Sequence, residues 1–104
     1  MARLVKVAKV SEIPENGVRG FDVEDRQVAV CRINGEFFAF DEICSHQYAS
    51  LAEGWLEDHT IECPMHGAQF DVRTGEALTL PATENIRTYP VLIKDDDVYI
   101  KLED

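Results

Sequence analysis

Apolar and polar positions along the chain alternate over short runs and never settle into a helical period. "VRGFDVE" (18–24) and "RQVAVCRI" (26–33) are alternating or β-branched segments of strand length. Asn34-Gly35 separates "VAVCRI" from "EFFAFDEI", and Asn-Gly between two apolar runs is a strong short-range signal for a β-hairpin. "AQFDVRTGEALTL" (68–80) predicts a second hairpin with Thr74-Gly75 at its tip, the "TGEALTL" side forming a strand. "IRTYPVLIKDDDVYIKLED" (86–104) predicts a final hairpin around Asp95, Asp96 and Asp97. The best helical candidate, "YASLAEGWLED" (48–58), is interrupted by Gly54, which leaves room for about one turn. The pattern therefore predicts one all-β domain, mostly antiparallel, without internal repeats, low-complexity tracts or linkers.

Composition narrows the class. A chain of 104 residues with 45% hydrophobic and 29% charged residues reads as a single globular, soluble domain. The opening "MARLVKVAKV" lacks the apolar run of a signal peptide, and no segment approaches the length of a membrane span. A cytoplasmic location is expected, where thiols stay reduced; three cysteines, an odd number, also argue against a disulfide framework. A formal charge of −10 makes nucleic acid and anionic membranes poor partners. The acidic surface serves solubility or docks a basic partner protein.

The chemistry concentrates between residues 44 and 66. Cys44 and His46 form one mixed pair, Cys63 and His66 another, and sixteen residues separate the pairs. Cys₂His₂ suits tetrahedral zinc, but zinc fingers usually group like with like. A Rieske [2Fe–2S] cluster asks for the mixture found here, two thiolates on one iron and two imidazoles on the other, so a loop spanning both irons supplies one ligand of each kind. A Cys44–His46 nucleophile pair would need an orienting group and an oxyanion site, and leaves Cys63 and His66 unexplained.

The pattern Cys44-x-His46 with Cys63-x-x-His66, the "CPMHG" at 63–67, "GAQFDVRTGEA" after it and "LPA" at 80–82 resemble the Rieske family over the whole chain. The resemblance implies an antiparallel β-sandwich base with an inserted cluster-binding subdomain at approximately 42–82, and one [2Fe–2S] cluster held by Cys44, His46, Cys63 and His66. It is closest in kind to the ferredoxins of bacterial aromatic-ring-hydroxylating dioxygenase systems, that of biphenyl dioxygenase among them. Such a protein is a cytoplasmic one-electron carrier and not an enzyme. It shuttles electrons from an NAD(P)H-dependent flavoprotein reductase to a terminal Rieske oxygenase, as a monomer that docks transiently at its cluster tip. Gln47, Tyr48, Met65 and Pro81 are the candidate rim of that tip.

Several absences agree. Outside the two ligand pairs only His59 remains, which rules out a second iron site of the two-histidine, one-carboxylate type. The six glycines form no G-x-G-x-x-G. High-potential relatives carry an extra cysteine in each loop and hydroxyl donors after the second histidine. The matching positions here are Ala49 and Met65, and Ala68 and Phe70. Without those donors, and with Glu42, Glu53, Glu57, Asp58 and Glu62 flanking the ligands, the potential is expected near the low end of the Rieske range, around −150 mV. Cys31 is expected in the core, His59 in a solvated loop, and Trp55 packed beneath the inserted loops or, as the alternative, near the cluster rim. Two other readings remain: a small Rieske subunit of another reductase, nitrite-reductase-like, which would co-purify with its enzyme, and a zinc-stabilised β interaction module, colourless and redox-silent.

Overall fold

The structure is a computed structural model that describes residues 2–43, 49–64, 67–79 and 84–103. Among the described residues ten strands, β1 (Ala2–Lys9), β2 (Val18–Val23), β3 (Arg26–Ile33), β4 (Glu36–Asp41), β5 (Trp55–Glu57), β6 (Thr60–Glu62), β7 (Gln69–Asp71), β8 (Thr88–Tyr89), β9 (Val91–Lys94) and β10 (Asp97–Glu103), form three antiparallel sheets. The orders are β1-β10-β9, β2-β3-β4-β8 and β5-β6-β7.

The hairpin signals act where the residues place them. Asn34 and Gly35 adopt φ of 51° and 79°, so Ile33 pairs with Glu36 through a two-residue turn with both central residues at positive φ, as type I′ requires. Asp95 and Asp96 do the same (φ 51° and 69°), aligning Lys94 with Asp97. The middle hairpin is shorter than expected. Asp71 and Gly75 close its turn through a 2.7 Å bond, but "TGEALTL" forms no strand, only an isolated bridge from Phe70 to Ala77. Two bonds flank that bridge, from the Asp71 N–H to the Glu76 carbonyl at 2.9 Å and from the Leu78 N–H to the Gln69 carbonyl at 2.8 Å, and the outer edge of the segment turns to other partners. The Ala77 N–H donates to the Asn85 side chain at 3.0 Å, and the Gly75 carbonyl accepts from the Ile86 N–H at 2.8 Å. In "YASLAEGWLED" only Leu51–Glu53 forms a 3-10 turn, with the Ser50 hydroxyl accepting from the Ala52 N–H, and Trp55–Glu57 continue as strand.

The sheet of β2, β3, β4 and β8 is buried on both faces, and β3 shows how. Val28 and Val30 join Ile13, Val98, Ile100 and Leu102 against the β1-β10-β9 sheet. Ala29, Cys31 and Ile33 point the other way and join Leu51, Ile61, Cys63, Ala68 and Phe70. The unbroken run "VAVC" thus retains a period of two; it reads as continuous because both faces are covered. Each such fully buried aliphatic side chain contributes roughly 1.5–3 kcal/mol. After β7 the chain returns through Arg87, whose carbonyl accepts from the Asp41 N–H, to pair β8 with β4. The small β5-β6-β7 sheet therefore lies between β4 and β8 along the chain. Among the described residues no helix is long and apolar enough to cross a membrane.

Cys31 is in the core as expected, with no exposed surface, and burial pushes its thiol up to about 12. The thiolate is the reactive form, and at pH 8.5 its fraction is about a thousandfold below that of a free cysteine. Native protein treated with iodoacetamide at pH 8.5 is therefore expected to stay unmodified at Cys31 for as long as it remains folded. Peptide mass spectrometry against a urea-unfolded control checks this. Rapid alkylation in the folded state would show that the strand opens.

Candidate metal centre

Local bonds tie the chain together on either side of both candidate ligand pairs. At the first, the Leu51 N–H donates to the Glu42 carbonyl at 2.7 Å, Ile43 bridges to Ser50, and the Ser50 hydroxyl donates to the Glu42 carboxylate at 2.6 Å. Glu42 and Ile43 are thus tied to Ser50 and Leu51. At the second, Glu62 pairs with Gln69, whose side-chain amide donates back to the Glu62 carboxylate at 2.9 Å. One step further, the Cys63 N–H donates to the Ala68 carbonyl at 2.7 Å, and Gly67 turns the chain at φ +71°. Cys63 is thus tied directly to Ala68.

A close approach joins the two tied regions. A Cβ on Gly54 would lie 1.9 Å from the Glu62 carbonyl oxygen, so only glycine lets the chain here lie against the residue before Cys63. Leu51 is in the same buried cluster as Cys63, Ala68 and Phe70. Cys63 itself has no exposed surface. Cys44, His46 and His66 lie outside the described residues, as do Gln47, Tyr48, Met65 and Pro81. The structure thus places one of the four candidate ligands directly and joins the segments that flank the two pairs.

The charge here is one-sided. Glu53, Glu57 and Asp58 are exposed, while Glu42 and Glu62 are half-buried with hydrogen-bond partners. Solvated carboxylates act on the centre only weakly.

Two expectations need correction. Trp55 does not pack beneath the loops; it is 62% exposed on the outer face of β5. The alternation of this sheet explains why. Leu56, Ile61 and Phe70 are the middle residues of their strands and pair across it facing inward, which turns Trp55, Glu62 and Gln69 outward together. The triplets "WLE", "TIE" and "QFD" carried that signal, each with one apolar residue at its centre. His59 is half-buried rather than solvated. Its ring meets Phe38 edge-on at 5.6 Å, and its carbonyl accepts from the Val72 N–H.

Comparison with known proteins decides the family. The model of the Rieske [2Fe–2S] domain matches residues 3–90. The chain belongs to the Rieske [2Fe–2S] domain family. This Rieske chain is 48% identical over 99 residues to the 3-phenylpropionate/cinnamic acid dioxygenase ferredoxin subunit of Photorhabdus laumondii, covering 94% of this chain and 93% of that protein. Among solved structures it is similar to the Sphingomonas yanoikuyae B1 ferredoxin, with a TM-score of 0.92, 33% identity and coverage of 97% and 100%. It is also similar to a chain of the complex of reduced oxygenase and oxidized ferredoxin in carbazole 1,9a-dioxygenase, with a TM-score of 0.86, 35% identity and coverage of 93% and 91%. The cofactor of a Rieske domain is one [2Fe–2S] cluster, and the zinc reading of the mixed pairs falls with this match. The candidate donors fit that cofactor in type, two cysteines and two histidines, with Cys63 shielded from water.

Proposed function

We propose that Cys44, His46, Cys63 and His66 hold the cluster within a subdomain spanning about 42–82, and that the protein is the ferredoxin component of an aromatic-ring dioxygenase system. The observation that carries this reading is coverage: nearly the whole of a dioxygenase ferredoxin subunit aligns with nearly the whole of this chain. The protein is a carrier, not an enzyme. Bound to the four side chains, the cluster takes up and releases one electron at a time. Electrons reach it from an NAD(P)H-dependent flavoprotein reductase and leave to a terminal Rieske oxygenase, in the cytoplasm. The protein is a monomer and meets each partner transiently at the end bearing His46 and His66, with Gln47, Tyr48, Met65 and Pro81 around them.

The residues beneath that end set the ease of reduction. Ala68 and Phe70 are fully buried and offer no hydroxyl. Hydrogen bonds donated to the more negative, reduced centre favour it, so a pair of apolar residues leaves the potential low. Potentiometric titration of the purified protein, followed by visible absorption, is expected to give a single one-electron couple near about −150 mV. A couple above about +100 mV would overturn the donor argument. Ala68→Ser is expected to raise the potential by roughly 60–130 mV, since a hydrogen bond to a charged group is worth about 1.5–3 kcal/mol and 59 mV corresponds to a tenfold change. A colourless protein from iron-replete cells would sink the ligand assignment.

A further inference from the structure

The outer face of the β5-β6-β7 sheet carries a groove of about 210 Å³ lined by Trp55, Glu57, Asp58, Thr60, Glu62 and Gln69. Register brings these residues to one face. Trp55 pairs with Glu62, which pairs with Gln69, and Glu57 pairs with Thr60. The volume is below the roughly 300–1,000 Å³ of small-molecule sites and suits a single long side chain. The groove's chemistry selects that side chain. The indole face attracts a cation through the ring quadrupole, and carboxylates accept from guanidinium N–H groups two at a time. Among the described residues no Lys or Arg pairs with Glu57, Asp58 or Glu62. One Glu62 oxygen binds the Gln69 amide, which fixes the carboxylate at the groove wall.

The wider charge distribution points to the same occupant. Between Arg32 and Arg73 the sequence has no Lys or Arg, yet it holds Glu36, Asp41, Glu42, Glu53, Glu57, Asp58, Glu62 and Asp71. Half of the ten basic residues, Arg3, Lys6, Lys9, Lys94 and Lys101, lie instead on the strands of the β1-β10-β9 sheet. Those strands and their hairpin turn also carry Asp95, Asp96, Asp97 and Glu103, so that sheet is near neutral, and the molecule turns the acidic stretch between Arg32 and Arg73 toward a basic surface during encounter.

We infer that the Trp55 groove receives an arginine side chain of the terminal oxygenase, a lateral anchor beside the histidine-bearing end. The anchor works by holding the partner in register while that end makes the closer contact. Planar guanidinium serves better than ammonium, because it stacks on the indole and forks onto a carboxylate in one pose. Trp55 is a docking residue and takes no part in holding the cluster. The assignment of the partner rests on the ferredoxin reading above; the assignment of the groove does not.

Trp55 is the single tryptophan, so its fluorescence reports the groove directly. Titrating the holoprotein with acetyl-triarginine amide is expected to change the emission saturably. The response should weaken at least fivefold in E57Q/D58N and be absent with acetyl-triglutamine amide. No saturable change, or an equal change in the double variant, would overturn the groove assignment. In a reconstituted chain with reductase and oxygenase, Trp55→Ala is expected to raise the ferredoxin concentration for half-maximal oxygenase turnover about tenfold. The saturated rate, the visible spectrum and the half-saturation for the reductase should each stay within twofold. An unchanged half-saturation for the oxygenase, or a shift confined to the reductase, would overturn the proposed partner. Wild-type protein that passes no electrons to any such oxygenase would sink the ferredoxin reading, and the peptide titration would still decide the groove.

Discussion

Cys63→Ala is expected to yield a colourless protein that retains neither iron nor acid-labile sulfide, whereas Cys31→Ala retains the full complement of both. Both cysteines are wholly buried in the same apolar cluster, so burial alone would not separate them. Position does. Cys31 is in the middle of β3, paired with Val18 and Phe38, with a thiol that burial keeps protonated. A protonated thiol is a small hydrophobe, and its removal costs roughly 1–2 kcal/mol. Cys63 instead lies just past the end of β6, held there by its own N–H on the Ala68 carbonyl. That bond belongs to the backbone and survives the substitution, so the alanine variant tests the sulfur and not the loop. Iron and sulfide analysis of the two variants side by side is the measurement. Full iron in Cys63→Ala, or its loss in Cys31→Ala, would break the proposed ligand set.

Phe70→Ala is expected to lower stability by about 3–5 kcal/mol, the usual cost of truncating a buried aromatic side chain. For a domain whose total stability is of order 5–15 kcal/mol, this shifts the melting temperature by something like 20 °C. Phe70 is fully buried at the centre of β7, paired with Ile61 and bridged to Ala77, in the same core cluster as Cys63. The control is the other large aromatic of the same small sheet. Trp55→Ala removes a larger side chain from the outer face and is expected to cost no more than about 0.5 kcal/mol. Thermal melts of the two variants measure the difference between the two faces of three short strands. Equal losses would contradict the assignment of inward and outward faces.

The chain announces its metal chemistry through residue type and spacing alone. Cys44, His46, Cys63 and His66 suggest the mixed thiolate–imidazole site proposed above, because the ligand types a metal accepts are properties of single side chains. The two-residue hairpin turns are legible for a similar reason. Asn34-Gly35 and Asp95-Asp96 must adopt positive φ for the strands to pair, and few residue types do so at low cost. The absence of α-helices among the described residues follows from a hydrophobic period that never reaches 3.6.

The remaining features are decided by which surfaces meet. Nothing local in "ARLVKVAK" says that Ala2 pairs with Glu103, since that register depends on both chain ends reaching one sheet. Nothing in "VAVC" says that alternate residues enter two different cores, because each face is apolar and the pattern conceals its own period. Trp55 was placed inside by its size and outside by its strand partners, and three-residue strands are too short for alternation to outweigh hydrophobicity until Leu56, Ile61 and Phe70 are seen to face one core. Residue identity by itself determined the chemistry of the centre and the turns that shape its scaffold. Tertiary structure alone decided the faces, because a face exists only once a second sheet has covered the other side.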